Sequence, residues 1–269
     1  SYSVQLIATN CTNSDTITKQ VRIQGAPLVS VNPSTLSGTL ACGDTLNIPF
    51  TIRNNGTGDL IFSGGPGASN NTGPLRVLAS IAGVDYFTEY QNTLSAINSN
   101  FTNYVVSEVN TNIAQVFSDS LLNKDVLLIP EIENAAGLIY TGAIATEIQS
   151  FVNSGGTVIL CGSQGNYSQA ILNTGLFTGT YNGYTNSGNL TTNLPNHDLA
   201  ISTPATVQAS NSSFYYNITN TDAVNVFSYS SNEVVSYREI GQGRAILVGF
   251  DFYASNSGVD RIIGNACLL

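Results

Sequence analysis

Cys161 is the side chain in this sequence that most invites a reading as a nucleophile. It closes the apolar run "TVIL" and leads into Gly162-Ser163-Gln164-Gly165, after which "NYSQAILNTGLF" turns helical. A thiol on such a turn would face a helix N-terminus, which lowers its pKa toward the reactive thiolate. A cysteine nucleophile also needs an oriented base. The chain has a single histidine, His197 in "PNHDLA", followed by Asp198 and Leu199. The competing reading is a small buried thiol at the end of a core strand. The missing base favours that reading, so no catalytic residue is expected, Cys161 being the one candidate.

Carboxylates offer a second chemistry. Asp85, Glu108, Glu131 and Asp251, together with Cys161 and Gln164, follow successive apolar runs. In an open α/β sheet such positions line the cleft beyond the carboxyl ends of the strands, where ligands bind. Asp85, Glu131, Gln164 and Asp251 are therefore the candidates for holding a ligand or a cation such as Ca2+. Against this, no EF-hand spacing is present, and the same residues serve equally as solvated loops or helix caps. No cofactor and no metal is the primary expectation. Tyr181 and Tyr184, in the polar stretch "YNGYTNSGN", offer aromatic faces to a sugar ring or simply pack that lobe.

Four cysteines, Cys11, Cys42, Cys161 and Cys267, show no CxxC or Cys/His spacing, which argues against zinc. Cys11 and Cys42 lie in β-rich segments and are expected to pair, with Cys42–Cys267 as the alternative. Asp15-Thr16-Ile17, Asp44-Thr45-Leu46 and Asp119-Ser120-Leu121 resemble the Asp-Ser/Thr-apolar acceptor pattern of a bacterial O-glycosylation system. This makes Thr16, Thr45 and Ser120 candidate acceptors. Sequons at Asn55, Asn100 and Asn217 are read as accidents of an Asn- and Thr-rich composition.

That composition narrows the function classes. Of 269 residues, 42% are hydrophobic and only 9% charged, against about 25% charged in an average soluble domain. Asn, Ser, Thr and Gly fill the difference, as suits an exported, β-rich surface protein. A net charge of −9, with Lys19 and Lys124 the only lysines, repels phosphate backbones and excludes nucleic-acid binding. No signal peptide, membrane span or methionine occurs, and the sequence starts in mid-pattern. A piece of a longer secreted protein is expected.

The elements that must position these residues fall into two styles. Tyr2, Val4, Leu6 and Ala8 alternate with polar residues, and Ile17, Val21 and Ile23 resume after a polar loop, predicting two strands and a turn. "LVSVNP" and "TLNIPFTIRNNGTGDLIFSG" predict three more strands. From residue 75 strands and helices alternate: "LRVLASI", a helix over 85–99 carrying Phe87, Tyr90, Leu94 and Ile97, "NYVVSEV", a helix over 112–122, "DVLLIPE", a helix over 140–155 ended by Gly155-Gly156, and "TVILCGS". This alternation predicts a parallel, doubly wound sheet. "SFYYNI", "VNVFSY", "EVVSYREI" and "RAILVGFDFY" predict further strands, and "VDRIIGNACLL" a closing helix.

"YSVQLIATNCTNSDTITKQVRI" resembles the last hairpin of a PKD domain, an Ig-like sandwich of bacterial surface proteins. "SGTLACGDTLNIPFTIRNNGTGDLIF" resembles the opening strands of Ig-like repeats. "DVLLIPE", "IQSFVNSGGTVILCGSQGN", "NHDLA" and "GQGRAILVGFDFY" resemble the class I glutamine amidotransferase-like fold over residues 74–267. Active members of that fold carry a nucleophile motif near Gly-x-Cys-x-Gly-x-Gln and a His with a Glu two residues later. Here Cys161 stands near the first, with the glycine and glutamine displaced by one. "GFDFYASNSG", where the second belongs, has no histidine. The resemblance thus implies the fold without the activity.

The organisation expected is the end of a PKD-like domain over 1–25, a partial Ig-like sandwich over 26–66, a linker over 67–74 and a glutamine amidotransferase-like α/β domain over 75–269, inserted in an Ig-like sandwich or strung between Ig-like domains. The function expected is a non-catalytic structural or adhesive module of a secreted bacterial surface protein. Its partners would be neighbouring Ig-like domains, a surface polysaccharide, or a secretion or gliding-motility apparatus. A carbohydrate- or cation-binding module and a cysteine hydrolase or amidotransferase are the alternatives.

Overall fold

The computed structural model describes residues 2–10, 12–21, 28–35, 47–57, 74–134, 140–186, 188–209, 211–254 and 256–269. The chain divides into two compact units, Ser1–Gly64 and Gly65–Leu269.

In the first unit, β1 (Tyr2–Thr9) and β2 (Ser14–Val21) form an antiparallel hairpin in register from Tyr2↔Val21 to Thr9↔Ser14. Asn10 builds its turn, the side-chain oxygen accepting from the Thr12 amide at 3.0 Å and the Asn13 amide at 2.7 Å. This is the side-chain mimicry of a turn at which Asn excels. A second antiparallel pair joins β3 (Val29–Asn32) to β4 (Thr51–Asn54). Val4, Leu6, Ile17, Val29, Val31 and Phe50 remain exposed, because a two-stranded sheet offers nothing to cover its apolar face. The strand expected beyond Gly58 lies outside the described residues, as do Cys11, Cys42 and Thr45.

The second unit is built on strands β5 (Leu75–Ser80), β6 (Tyr104–Val109), β7 (Val126–Ile129) and β8 (Thr157–Cys161). Helices α1 (Glu89–Asn98), α2 (Ala114–Leu121) and α3 (Gly142–Asn153) connect them in turn. After β8 come α4 (Ser168–Asn173), β9 (Gly179–Thr185), β10 (Asn189–Thr192), β11 (Thr206–Gln208), β12 (Ser213–Ile218), β13 (Val224–Tyr229), β14 (Asn232–Ile240), β15 (Gly243–Val248) and α5 (Ser257–Leu268). Five strands run parallel in the order β6-β5-β7-β8-β15. Beyond β15 the sheet continues antiparallel through β14, β13, β10 and β11, with β12 paired to β14 and β9. The sheet is doubly wound and its centre parallel, as the alternating pattern requires.

Strand side chains divide by the period of two. Val126, Leu128, Ile159, Cys161, Ile246 and Val248 pack with Ala96 and Ile97 of α1 and Ile262 and Ile263 of α5. Leu127, Ile129, Val158, Leu160, Ala245 and Leu247 pack on the other face with Phe117 of α2, Ile148 and Val152 of α3 and Ile171 of α4. Leu75, where β5 begins, packs on the same cluster as Cys267 near the end of α5.

The helix expected over 85–99 begins only at Glu89. Asp85 breaks the pattern: its side chain accepts from the amides of Phe87 and Thr88, each at 3.2 Å. Phe87 therefore precedes the helix and is 87% exposed, rather than standing on the apolar stripe with Tyr90, Leu94 and Ile97. No helix among the described residues is long and apolar enough to cross a membrane.

Candidate functional site: an acidic cleft at the carboxyl edge

Three strand ends converge at the carboxyl edge of the parallel sheet, and backbone contacts hold them in place. Beyond β7, Pro130 ends the pairing and Glu131-Ile132-Glu133 runs across the edge. The Ile132 amide donates to Ser163 Oγ at 3.0 Å, tying this segment to the turn after β8. Ile132 also bridges Val84, and the amides of Glu133 and Asn134 both donate to the Gly83 carbonyl at 2.8 Å. The residues after β5 are thereby held beside those after β7. After β15, the Asp251 amide donates to the Ser212 carbonyl at 3.0 Å.

These constraints gather carboxylates. One side-chain oxygen from each of Glu89, Glu131 and Glu133 lies within 4.8 Å of the other two. Glu131 is 2% exposed and Glu89 4%. Both have a side-chain oxygen, Oε2, that is buried without a hydrogen-bond partner among the described residues. Burial, reinforced by the negative charges of Glu89, Asp251 and Glu133, pushes the Glu131 carboxyl up to about 11. Burial, then Glu133, Asp251 and Asp85, pushes Glu89 up to about 8. Glu133 and Asp251 are raised as well, chiefly by burial. Asp251 is partly held down by the Tyr253 amide at 2.8 Å and by Asn211 Nδ2 at 2.6 Å.

Of the four residues expected to bind a ligand, Asp85, Glu131 and Asp251 belong to this acidic field. Gln164 does not: it is exposed and precedes the short 3-10 turn Gly165–Tyr167. Glu108 is also exposed and accepts from the Tyr86 hydroxyl at 3.2 Å. Glu89 and Glu133 escaped the sequence reading. The signal for Glu133 was present, since Glu131 and Glu133 are two apart in an extended segment and so share a face. Glu89 reads as an ordinary first-turn acid favoured by the helix dipole.

Cys161 is completely buried, and burial followed by the Glu131 charge raises its thiol well above the ordinary range. It is the last residue of a regular strand paired with Val248 and is absent from the positive-φ residues of the described chain. A nucleophile elbow instead places its residue on a sharp, strained turn. Gly162 follows because backbone meets backbone there: a Cβ would stand 2.8 Å from Gly249 Cα. His197 is engaged elsewhere. Its Nδ1 accepts from the Leu199 amide at 3.2 Å, its ring lies edge-on to Tyr237 at 4.8 Å, and burial lowers its pKa.

Tyr181 packs edge-to-face on Tyr216 at 5.9 Å, and Tyr184 is 49% exposed. Thr16 is exposed on β2. Ser120 Oγ donates to the Val116 carbonyl at 2.7 Å within α2. Cys161 and Cys267 both carry free, buried thiols.

No protein-family model and none of the curated protein sequences matches this chain. Solved structures do. A ThuA-like protein from Bacteroides uniformis is 14% identical with a TM-score of 0.53, over 76% of this chain and 94% of that one. A β-galactosidase from Bacillus circulans sp. alkalophilus is 10% identical with a TM-score of 0.50, over 72% of this chain and 31% of the galactosidase. At such identities the likeness is one of fold. The second unit has the glutamine amidotransferase-like α/β fold.

Proposed function

We propose that this chain is a non-catalytic structural or adhesive module of a secreted, multidomain bacterial surface protein, carrying Ig-like neighbours in the same chain. The observation that supports the reading most directly is the state of Cys161. Its thiol is sealed in the core, its burial and the nearby Glu131 disfavour the thiolate, and the one imidazole of the chain is committed to Leu199 and Tyr237. Nucleophilic catalysis needs the reverse on each count. The composition, poor in charge and rich in Asn, Ser, Thr and Gly, fits an exported surface protein. A common core for the start of β5 and the end of α5 suits a domain inserted among others, because a host tolerates an insertion where the chain leaves and returns nearby. A surface polysaccharide or a secretion or gliding-motility apparatus would be the partner outside the chain. The test is to assay the purified chain for glutaminase and esterase turnover and to probe intact cells with protease and antibody. Absence of turnover with surface labelling is expected. Turnover that disappears in Cys161→Ala would overturn the reading.

A further inference from the structure

The carboxyl edge buries more carboxyl groups than the fold pairs with cations. Glu89, Glu131 and Glu133 direct oxygens into one space within 4.8 Å of one another, and the buried Oε2 atoms of Glu89 and Glu131 have no hydrogen-bond partner among the described residues. The two ion pairs among the described residues, Arg76–Asp125 and Arg238–Asp222, lie elsewhere. A buried carboxyl either takes up a proton or, when ionised, is paired with a cation or coordinates a metal, because leaving its charge bare is too costly.

We propose that Glu89, Glu131 and Glu133 are the protein ligands of a divalent cation of calcium's size. Their donor atoms are all carboxylate oxygens, the hard ligands that Ca2+ prefers. Oxygens bound to one Ca2+ at about 2.3–2.6 Å lie no more than about 5 Å apart, which the trio satisfies. Mg2+ requires a smaller, near-octahedral cage at about 2.0–2.1 Å. The ligands are also held in advance: the Glu133 amide is anchored to Gly83, Asn134 Nδ2 donates to the Val84 carbonyl at 3.3 Å, and the Ile132 amide is anchored to Ser163. Asp251 and Asp85 add negative field while their own oxygens accept hydrogen bonds from Asn211 and Tyr253, and from Phe87 and Thr88. Glu133, only partly buried, provides the solvent side through which the ion enters and water completes its shell. The competing fate of the cleft is protonation, with Glu89 donating to Asp251 and no ion bound.

Calorimetric titration of the whole, chelator-stripped chain with Ca2+, Mg2+ and Mn2+ near neutral pH tests the proposal, alongside thermal unfolding with each ion. The expected result is one Ca2+ per chain, half-saturating at about 10⁻⁴–10⁻³ M as in extracellular calcium modules, with Mg2+ and Mn2+ weaker. Glu133→Gln, at the solvent side, should weaken Ca2+ binding by roughly tenfold or more. Glu131→Gln, a neutral replacement of similar shape, should fold and lose the effect of Ca2+ on Tm. A folded wild type that gives no heat and no Tm shift at millimolar Ca2+ would overturn the proposal. Preferred binding of Mg2+ or Mn2+ would do the same, as would Ca2+ binding unaltered in both variants. None of these outcomes bears on the absence of catalysis, which stands or falls with Cys161.

Discussion

The Ile132 amide and the Ser163 hydroxyl meet at 3.0 Å and lock the segment after β7 to the turn after β8. Both residues are completely buried, so the amide has no water to turn to. Ser163→Ala is expected to cost about 1–3 kcal/mol, the penalty of an orphaned buried donor, measured by urea unfolding. It should also weaken any ion held by Glu131, since the same bond sets that side chain's position. A variant as stable as the wild type would mean that another group satisfies Ile132.

Gly249 admits no side chain. A Cβ there would lie 2.1 Å from the Phe214 carbonyl oxygen and 2.8 Å from that of Val234. Both neighbours are backbone, held by strand pairing, and cannot swing aside. Gly249→Ala is expected to lose about 3 kcal/mol or more, at or beyond the upper range for overpacking. Chemical denaturation reads it directly, and a loss under about 1 kcal/mol would show that β12 and β14 can separate at that point.

The thiols of Cys161 and Cys267 are free and buried, and burial raises both. Neither should react with a soluble disulfide reagent in the native protein, and both should react once it unfolds. Cys11 and Cys42 are expected to be joined to each other, contributing about 2–4 kcal/mol. Peptide mapping without reduction checks this: an alkylated Cys11, or native labelling of Cys161, would contradict the scheme.

Asp125 receives the Arg76 guanidinium at 2.7 Å and 3.0 Å and the Arg76 amide at 2.8 Å. The Arg76 side chain holds its carboxyl below the usual aspartate range. A carboxylate with a depressed folded pKa stabilises the protein above its unfolded value, and that contribution is lost as pH falls through the folded one. Asp125→Asn should therefore lower Tm by a few degrees at neutral pH. The gap from wild type should close below the ordinary aspartate pKa of about 3.9. A gap that persists in acid would assign the effect to packing.

The parallel core was legible in the sequence because its strands are buried on both faces. "DVLLIPE" and "TVILC" are unbroken apolar runs, and Pro130 marks where the first must end. The helices were legible from their stripes, and α3 stops where Gly155, at φ 111°, leaves the helix. The error at Phe87 shows the limit of periodicity: the 3.6-residue pattern continues past the start of α1, but Asp85 takes the amides that a further turn would need. The antiparallel half was legible only as separate strands. Its pairings, β10 with β13 and β9 with β12, skip neighbours, and nothing local encodes such partners. Glu131 could be named from its place at a strand end. That Glu89 turns inward depends on the approach of the segment after β7, a relation between residues more than forty apart.

The position of β15 between β14 and β8 bears on how the protein is made. In a chain synthesised from its amino end, β8 emerges with one flank bare, and the strand that covers it comes some eighty residues later. Until Gly243–Val248 arrives, Thr157–Cys161 presents an apolar edge ready to recruit a foreign strand. Long-range parallel pairing of this kind is slow to form and prone to aggregation while it waits. The sheet is therefore complete only once Gly243–Val248 has emerged, and a truncation before residue 243 would leave a sticky half-sheet in place of a smaller domain.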